Sequence, residues 1–202
     1  MDREEAAQAL AVLRNVVSQA RDDTALQNWG VIWILHGLLN GGGFIATHFL
    51  LAAGYTEPPP FVLMWGVLIS LDLLATALLK KRRAGVRTFV ETQLWAIWST
   101  FIGAVSLLAV LNHLMGLATF FLGPVIGVLA AVGFASMGSV MGRRWFAGTV
   151  AFTITAVLMA AFHEVQFLIL GATWMVAQVV GGFLLDRERR RQLGSGDIPR
   201  LV

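Results

Sequence analysis

Residues 29–55 read WGVIWILHGLLNGGGFIATHFLLAAGY and contain no Lys, Arg, Asp or Glu. As a helix rising ~1.5 Å per residue, this stretch is ~40 Å long, enough to cross the ~30 Å hydrocarbon core of a bilayer with some tilt. At ~100° per residue, four polar or small residues fall within about 60° of one another, namely His36, Asn40, Gly43 and Thr47. Polar groups are unfavourable against lipid, so this stripe predicts packing against another helix or a water-filled cavity.

Composition places the whole chain in the membrane class. Its 202 residues are 57% hydrophobic and 13% charged, whereas about 25% charged is usual for a soluble domain. Cysteine is absent, which excludes disulfides, thiol catalysis and thiolate-bound metal. The pI near 10.2 would suit a nucleic-acid partner, but the basic residues lie at helix ends, where membrane topology explains them. The expected partner is therefore the lipid bilayer and not nucleic acid.

The first 23 residues form a separate segment. Asp2 and Glu5 fit a capping box, and small or apolar residues follow on one face of a predicted helix over residues 2–22, namely Ala6, Leu10, Leu13, Val17 and Ala20. Such a cytoplasmic amphipathic helix either docks or dimerises, or lies on the membrane surface. The second reading is favoured because a surface amphipathic helix needs nothing more to be stable.

The hydropathy pattern predicts an all-α, polytopic membrane domain over residues 24–186. Residues 56–60, TEPPP, are expected to form a non-helical turn. Residues 145–185 contain no Lys, Arg or Asp, and a single helix of that length would be ~60 Å long, so they must fold back. The turn is placed at His163 and Glu164. Six spans in three hairpins result, at about 29–54, 61–79, 88–111, 115–141, 145–162 and 167–185.

The distribution of basic residues predicts the orientation of these spans. With six crossings, all 15 Lys and Arg lie on the side of the two termini, including those of the basic tail at 187–202, which is expected to be partly disordered. The positive-inside rule then gives cytoplasmic termini. The expected location is the cytoplasmic (inner) membrane.

Small residues predict how the fourth span packs. They recur every four residues, a spacing that lets helices approach closely, at Gly123, Gly127, Ala131, Ala135 and Ser139. The ladder serves either an internal contact or a homo-oligomer, and an internal contact is favoured because a six-helix domain buries more helix faces internally. Pro124, inside this predicted span, leaves the carbonyl of Phe120 without its helical donor, so a kink is expected.

The glycine run in the first span has two interpretations. Gly41, Gly42 and Gly43 mark either a flexible or broken helix at a binding site or a close helix crossing. The first interpretation makes the run a flexible point in a transport pathway.

Asp72 is the most informative single residue. It lies 11 residues after Phe61, about 16 Å into the second span, and Asn40 is expected at a similar level. His36 and Thr76 lie one turn further toward the cytoplasm. A carboxylate at that depth must be protonated or given partners. These four residues therefore form either a proton- or cation-handling site or a hydrogen-bonded contact that holds two helices together.

A second set of polar residues lies at the outer ends of the spans, comprising His48, His113, His163 and Glu164. Imidazoles with a carboxylate suit a divalent metal, and paired histidines suit haem b. No sequence motif for a metal accompanies them, and polar residues at helix ends are also typical of any membrane interface, which is the favoured interpretation.

Three functions are compatible with the sequence. The first is a transporter or channel-like protein with a proton- or cation-linked acid between helices 1 and 2. The second is a non-catalytic component that binds a partner membrane protein or forms a homo-oligomer. The third is a haem- or metal-dependent oxidoreductase that uses the outer histidines. The first function is favoured over the second, and the second over the third. We therefore expect a protein that is not an enzyme and that has no cofactor.

Overall fold

The computed structural model describes residues 28–79, 89–116 and 121–194, together with Gln8. All regular structure in these residues is helical, and six helices are long and apolar enough to cross a membrane. The prediction of a six-helix, multi-pass membrane protein is confirmed. The predicted amphipathic helix over residues 2–22 and the end of the basic tail lie outside the described residues, apart from Gln8.

The six helices follow one another through short connections. They are α1 (Trp29–Ala52), α2 (Pro58–Leu79), α3 (Phe89–Leu114), α4 (Leu122–Met141), α5 (Phe146–Ala161) and α6 (Gln166–Gly194). Short 3₁₀ turns precede α5 and α6, at Arg143–Trp145 and His163–Val165. In each of the pairs α1/α2, α3/α4 and α5/α6, the two helices contact each other, which gives the three predicted hairpins.

The two ends of the helix bundle differ in their polar residues. One end, called here the basic end, carries Arg143 and Arg144 before α5 and Arg187 in α6. The other, called the histidine end, carries His48 near the end of α1, His113 near the end of α3 and His163 in the turn before α6. The turn predicted at His163 is therefore present. Helix α6 runs on past Asp186, which accepts a hydrogen bond of 2.8 Å from Nε of Arg190.

The start of α2 corrects the sequence-based expectation of a non-helical turn at TEPPP. Pro58, Pro59 and Pro60 form the first turn of α2. The first N–H groups of a helix have no partner within the helix, so proline loses no hydrogen bond there, and its fixed φ suits the helix. The rule that proline breaks helices applies to the interior, and these three residues are not interior.

The start of α4 also corrects an expectation. The helix begins at Leu122, not at residue 115, so Pro124 lies in its first turn. There the missing N–H of proline removes no helical hydrogen bond. The kink expected at Pro124 inside a longer span therefore does not apply.

Helices α1 and α6 form the most extensive helix–helix contact of the described residues. Their glycines face each other: a Cβ added to Gly30 would lie 2.6 Å from the carbonyl oxygen of Gly182, and one added to Gly171 would lie 2.7 Å from that of Gly41. Any side chain at these positions would collide with backbone. Glycine thus allows the two backbones to approach closely, which stabilises helix pairs where lipid offers no hydrophobic driving force.

An aromatic core joins α1, α3, α4, α5 and α6. Trp33 of α1 lies with its ring centroid 4.8 Å from that of Trp145, Phe134 of α4 stacks on Phe152 of α5 at 5.2 Å, and Trp98 of α3 packs edge-on against Phe134 at 5.5 Å. Such aromatic pairs add about 0.5–1.5 kcal/mol each beyond their buried area. Helix α2 packs mainly against α1 and adds one ring at the edge of this core, because Trp65 lies with its ring centroid 4.9 Å from that of Phe44. Thr76 is its one buried residue.

Candidate functional site

The polar stripe of α1 meets the carboxylate of α2 in a hydrogen-bonded cluster. Nδ1 of His36 hydrogen-bonds with Oδ1 of Asp72, and it donates in the imidazole tautomer that carries the proton on Nδ1. Nδ2 of Asn40 donates to Oδ2 of Asp72 at 3.2 Å and to the carbonyl oxygen of His36 at 2.9 Å. Both carboxylate oxygens of Asp72 therefore have a partner, and Asn40 ties the cluster to the backbone of α1. These three residues are called the carboxylate cluster below.

Helical spacing explains why these residues meet. His36 and Asn40 are four residues apart and so lie one turn apart on the same face of α1. Thr76, four residues after Asp72, continues the α1-facing side of α2 toward the basic end and is 5% exposed. The structure thus brings Asp72, Asn40 and His36 into contact, and it places Thr76 one turn away from them.

The same helix pair has polar contacts on both sides of the cluster. Toward the basic end, Nδ2 of Asn28 donates to the carbonyl oxygen of Leu79 at 3.3 Å. Toward the histidine end, Nε1 of Trp65 donates to Oγ1 of Thr47 at 3.2 Å, and Thr47 donates to the carbonyl of Gly43 at 2.8 Å. Sequence reasoning missed Trp65, although it lies seven residues before Asp72 and so on the same face of α2.

The depth of Asp72 differs from the sequence-based estimate. Because α2 begins at Pro58, Asp72 lies ~21 Å along the helix from that end and ~10 Å from Leu79, at ~1.5 Å per residue. Asp72 therefore lies about 5 Å from the midpoint of α2, displaced toward the basic end.

The carboxylate cluster is only partly enclosed, and no described group that contacts the Asp72 carboxylate carries a permanent positive charge. The side chains of His36 and Asp72 are 27% and 14% exposed. Within the part of the chain that the structure describes, the partners of the Asp72 carboxylate are this imidazole and the amide of Asn40, with no arginine or lysine.

The three glycines of α1 have three different surroundings. A Cβ added to Gly41 would lie 2.9 Å from the carbonyl oxygen of Gly171 in α6, and one added to Gly43 would lie 2.9 Å from the ring of Trp65 in α2. A Cβ added to Gly42 would have no neighbour within 4 Å. Helix α1 is unbroken across the run, so Gly41 and Gly43 have packing roles here. Flexibility at these glycines and at Pro124 stays a prediction.

The small-residue ladder of α4 lies mainly against the next hairpin. Gly127 faces Ala156 and Met159 of α5, and Gly123 faces the side chain of Gln166 at the start of α6. Ala131 is buried, Ala135 is half-buried and Ser139 is exposed. The buried part of the ladder thus makes an internal contact, and its last member does not.

The outer histidines come together only in part. His48, His163 and Glu164 line one pocket at the histidine end, and His113 is not part of its lining. Among the described residues, which include all four of these, no group of three His, Cys, Asp or Glu is arranged to hold a metal ion.

Comparisons of this chain with protein families, with curated proteins and with solved structures found no match.

Proposed function

We propose that this protein is a transporter or channel-like protein of the cytoplasmic (inner) membrane, in which proton binding at the carboxylate cluster is linked to cation or solute movement between α1 and α2. The observation that carries this proposal is the partly exposed Asp72 carboxylate inside a membrane-spanning helix pair, whose partners among the described residues are an imidazole and an amide. An ionisable group at such a position marks a proton or ion pathway by default.

The chemistry of the pair suits reversible proton uptake. With a neutral imidazole and an ionised carboxylate, His36 and Asp72 together carry one negative charge; one added proton makes the pair neutral, whichever group holds it. Within the membrane each uncompensated charge is unfavourable by several kcal/mol, so the carboxylate must hold a proton or be accompanied by another cation. Competition between the two for one carboxylate is a sufficient basis for coupled movement.

In the proposed function, the cation or solute moves along the polar groups of the α1/α2 interface. Polar groups extend from Asn28 at the basic end to Thr47 beyond the cluster. There the indole of Trp65 packs on Phe44, with ring centroids 4.9 Å apart, and lies over Gly43. In the proposed cycle Trp65 closes the histidine-end side of the interface. The basic residues at the opposite end favour that end as the cytoplasmic one, with both termini there.

Proton flux into liposomes tests this function. Purified wild-type protein and Asp72→Asn are reconstituted, a K⁺ diffusion potential is imposed, and internal pH is followed with a trapped dye. The proposal predicts flux for the wild type and its loss in Asp72→Asn. The control is Asp186→Asn, which removes a carboxylate from α6 outside the cluster and should keep the flux.

A second candidate function is non-catalytic assembly with another membrane protein, here a second copy of this chain, and one observation favours it. The outward face of α2 is exposed, and a shallow groove of about 550 Å³ on it includes Gly66 and Ser70. Because the chain has no cysteine, Gly66→Cys gives a single thiol on this face. Disulfide-linked dimers in native membranes, together with equal flux in wild type and Asp72→Asn, would replace the transport proposal by this one.

A further inference from the structure

The pocket at the histidine end combines polar and apolar residues from two elements. It has a volume of about 350 Å³, and its polar lining comes from His48 at the end of α1 and from His163, Glu164 and Gln166 around the turn before α6. Leu51 and Phe167 contribute apolar surface. The volume is at the lower end of the ~300–1,000 Å³ that small-molecule sites occupy.

The charge at this end favours a cation. The lining residues, all of which the structure describes, include Glu164 and no lysine or arginine. In the sequence, the connections of α1 to α2, of α3 to α4 and of α5 to α6 also contain no lysine or arginine, and their charged residues are Glu57 and Glu164. A site lined by one sign of charge raises the local concentration of the opposite ion.

The donor set does not fit a metal but does fit an ammonium group. His48, His163 and Glu164 share the pocket without forming a three-ligand metal group. An ammonium group has several N–H donors and needs only acceptors at hydrogen-bond distance, which carboxylate oxygens and the acceptor nitrogens of imidazoles supply. Leu51 and Phe167 give a hydrocarbon chain a place out of water.

We infer that this pocket binds a small organic ammonium ion, a primary amine with a short hydrocarbon chain. Its ammonium group donates to Glu164 and to the imidazoles of His48 and His163, and its chain lies against Leu51 and Phe167. This site is separate from the carboxylate cluster and does not depend on transport between α1 and α2.

Calorimetric titration tests the site with three probes of similar size. Protein in phosphatidylcholine nanodiscs is titrated with n-butylammonium, with n-butanol, which lacks the charge, and with butyrate, which reverses it. Saturable binding of butylammonium alone is expected. Glu164→Gln should weaken it about tenfold, the lower end of what a charge-assisted hydrogen bond supplies. Glu57→Gln is the matched control, because Glu57 lies at the same end but outside the pocket lining, and it should leave the affinity unchanged.

The outcomes separate this site from the alternatives. Absence of saturable butylammonium binding, equal binding of butanol, or equal losses in Glu164→Gln and Glu57→Gln each overturns the inference. Saturable binding of Zn²⁺ alone, lost in Glu164→Gln while butylammonium fails to bind, also overturns it by making the pocket a metal site. Asp72→Asn should bind butylammonium like the wild type, so a failure of the transport proposal does not alter this result.

Discussion

Helix α1 has two faces about 100° apart around its axis, and they contact neighbouring helices in different ways. The glycine face, made of Gly30, Gly37 and Gly41, lies directly against the backbone of α6. The polar face, which carries His36 and Asn40, meets α2 through side-chain hydrogen bonds. The glycine face makes a close backbone contact with α6. The polar face makes side-chain hydrogen bonds with α2, which can be exchanged for other hydrogen bonds.

The difference indicates which contact is the scaffold. Close backbone packing has no alternative partner and depends on the absence of side chains, so it fixes α1 against α6. Interhelical hydrogen bonds within membranes average only about 0.6 kcal/mol each, so the contact with α2 can rearrange at low cost. Helix α2 also has just one buried residue, Thr76. We therefore expect motion during function at α1/α2 and not at α1/α6.

The largest effect is expected for Gly171→Val on the α6 side of the glycine face. The new side chain would meet the carbonyl of Gly41 and the backbone N of Ile45, neither of which can move without separating the helices. We expect a loss of about 3 kcal/mol or more, the upper range for overpacked cores. Thermal unfolding followed by tryptophan fluorescence measures it, and unchanged stability would show that α1/α6 is not the scaffold.

Alanine substitutions at Gly41, Gly42 and Gly43 compare the stability contributions of the two faces within one helix. Gly41→Ala should destabilise most, since its Cβ meets backbone of α6, and Gly43→Ala less, since its Cβ meets the side chains of Trp65 and Leu68. Gly42→Ala meets nothing and should stabilise by about 0.5–1 kcal/mol through helix propensity. The same unfolding assay gives the order, and a destabilising Gly42→Ala would contradict the packing described here.

A smaller effect is expected for Trp65→Phe on the α2 side. The change keeps an aromatic ring against Phe44 and removes the hydrogen bond to Thr47, so the loss should be about 1 kcal/mol. If Trp65 closes the route, proton flux in liposomes should rise in the same variant. A variant with unchanged flux and a large loss of stability would assign Trp65 to the scaffold instead.

The smallest effect on stability is expected for Asp72→Asn. Asparagine has nearly the same shape and keeps a side-chain oxygen to accept from Asn40, so unfolding should shift by less than about 1 kcal/mol. A larger loss would mean that the carboxylate cluster holds the fold together. In that case the two faces of α1 would not differ in the way proposed.

The sequence predicted the architecture and the meeting of α1 with α2, because both depend on local patterns. Long apolar stretches define the spans, and the narrow stripe at His36 and Asn40 placed a polar face opposite Asp72. The predicted starts of α2 and α4 were wrong. The reasoning overlooked that proline is tolerated in the first turn of a helix, where Pro58 and Pro124 lie.

The main contact of the fold was missed, although it left a signal in the sequence. Gly30 and Gly41 are eleven residues apart, as are Gly171 and Gly182, which is three helical turns in each helix. Antiparallel helices with this matched spacing can pair both glycines at once. However, α1 and α6 are far apart in the sequence, and a local pattern cannot predict which helix packs against a glycine face. The sequence grouped His48, His163 and Glu164 at one end of the spans, but for the same reason it did not show that His113 lies outside their pocket.

Infrared difference spectroscopy of the Asp72 carboxyl tests directly whether this group exchanges a proton for another cation. We expect a protonated-carboxyl band that grows on acidification of the folded protein, is absent in Asp72→Asn and persists in Asp186→Asn. At fixed pH it should shrink when Na⁺ or K⁺ replaces N-methylglucamine, because a cation competes with the proton. A band that is unchanged by Asp72→Asn, or that responds to neither pH nor cation, would contradict the claim.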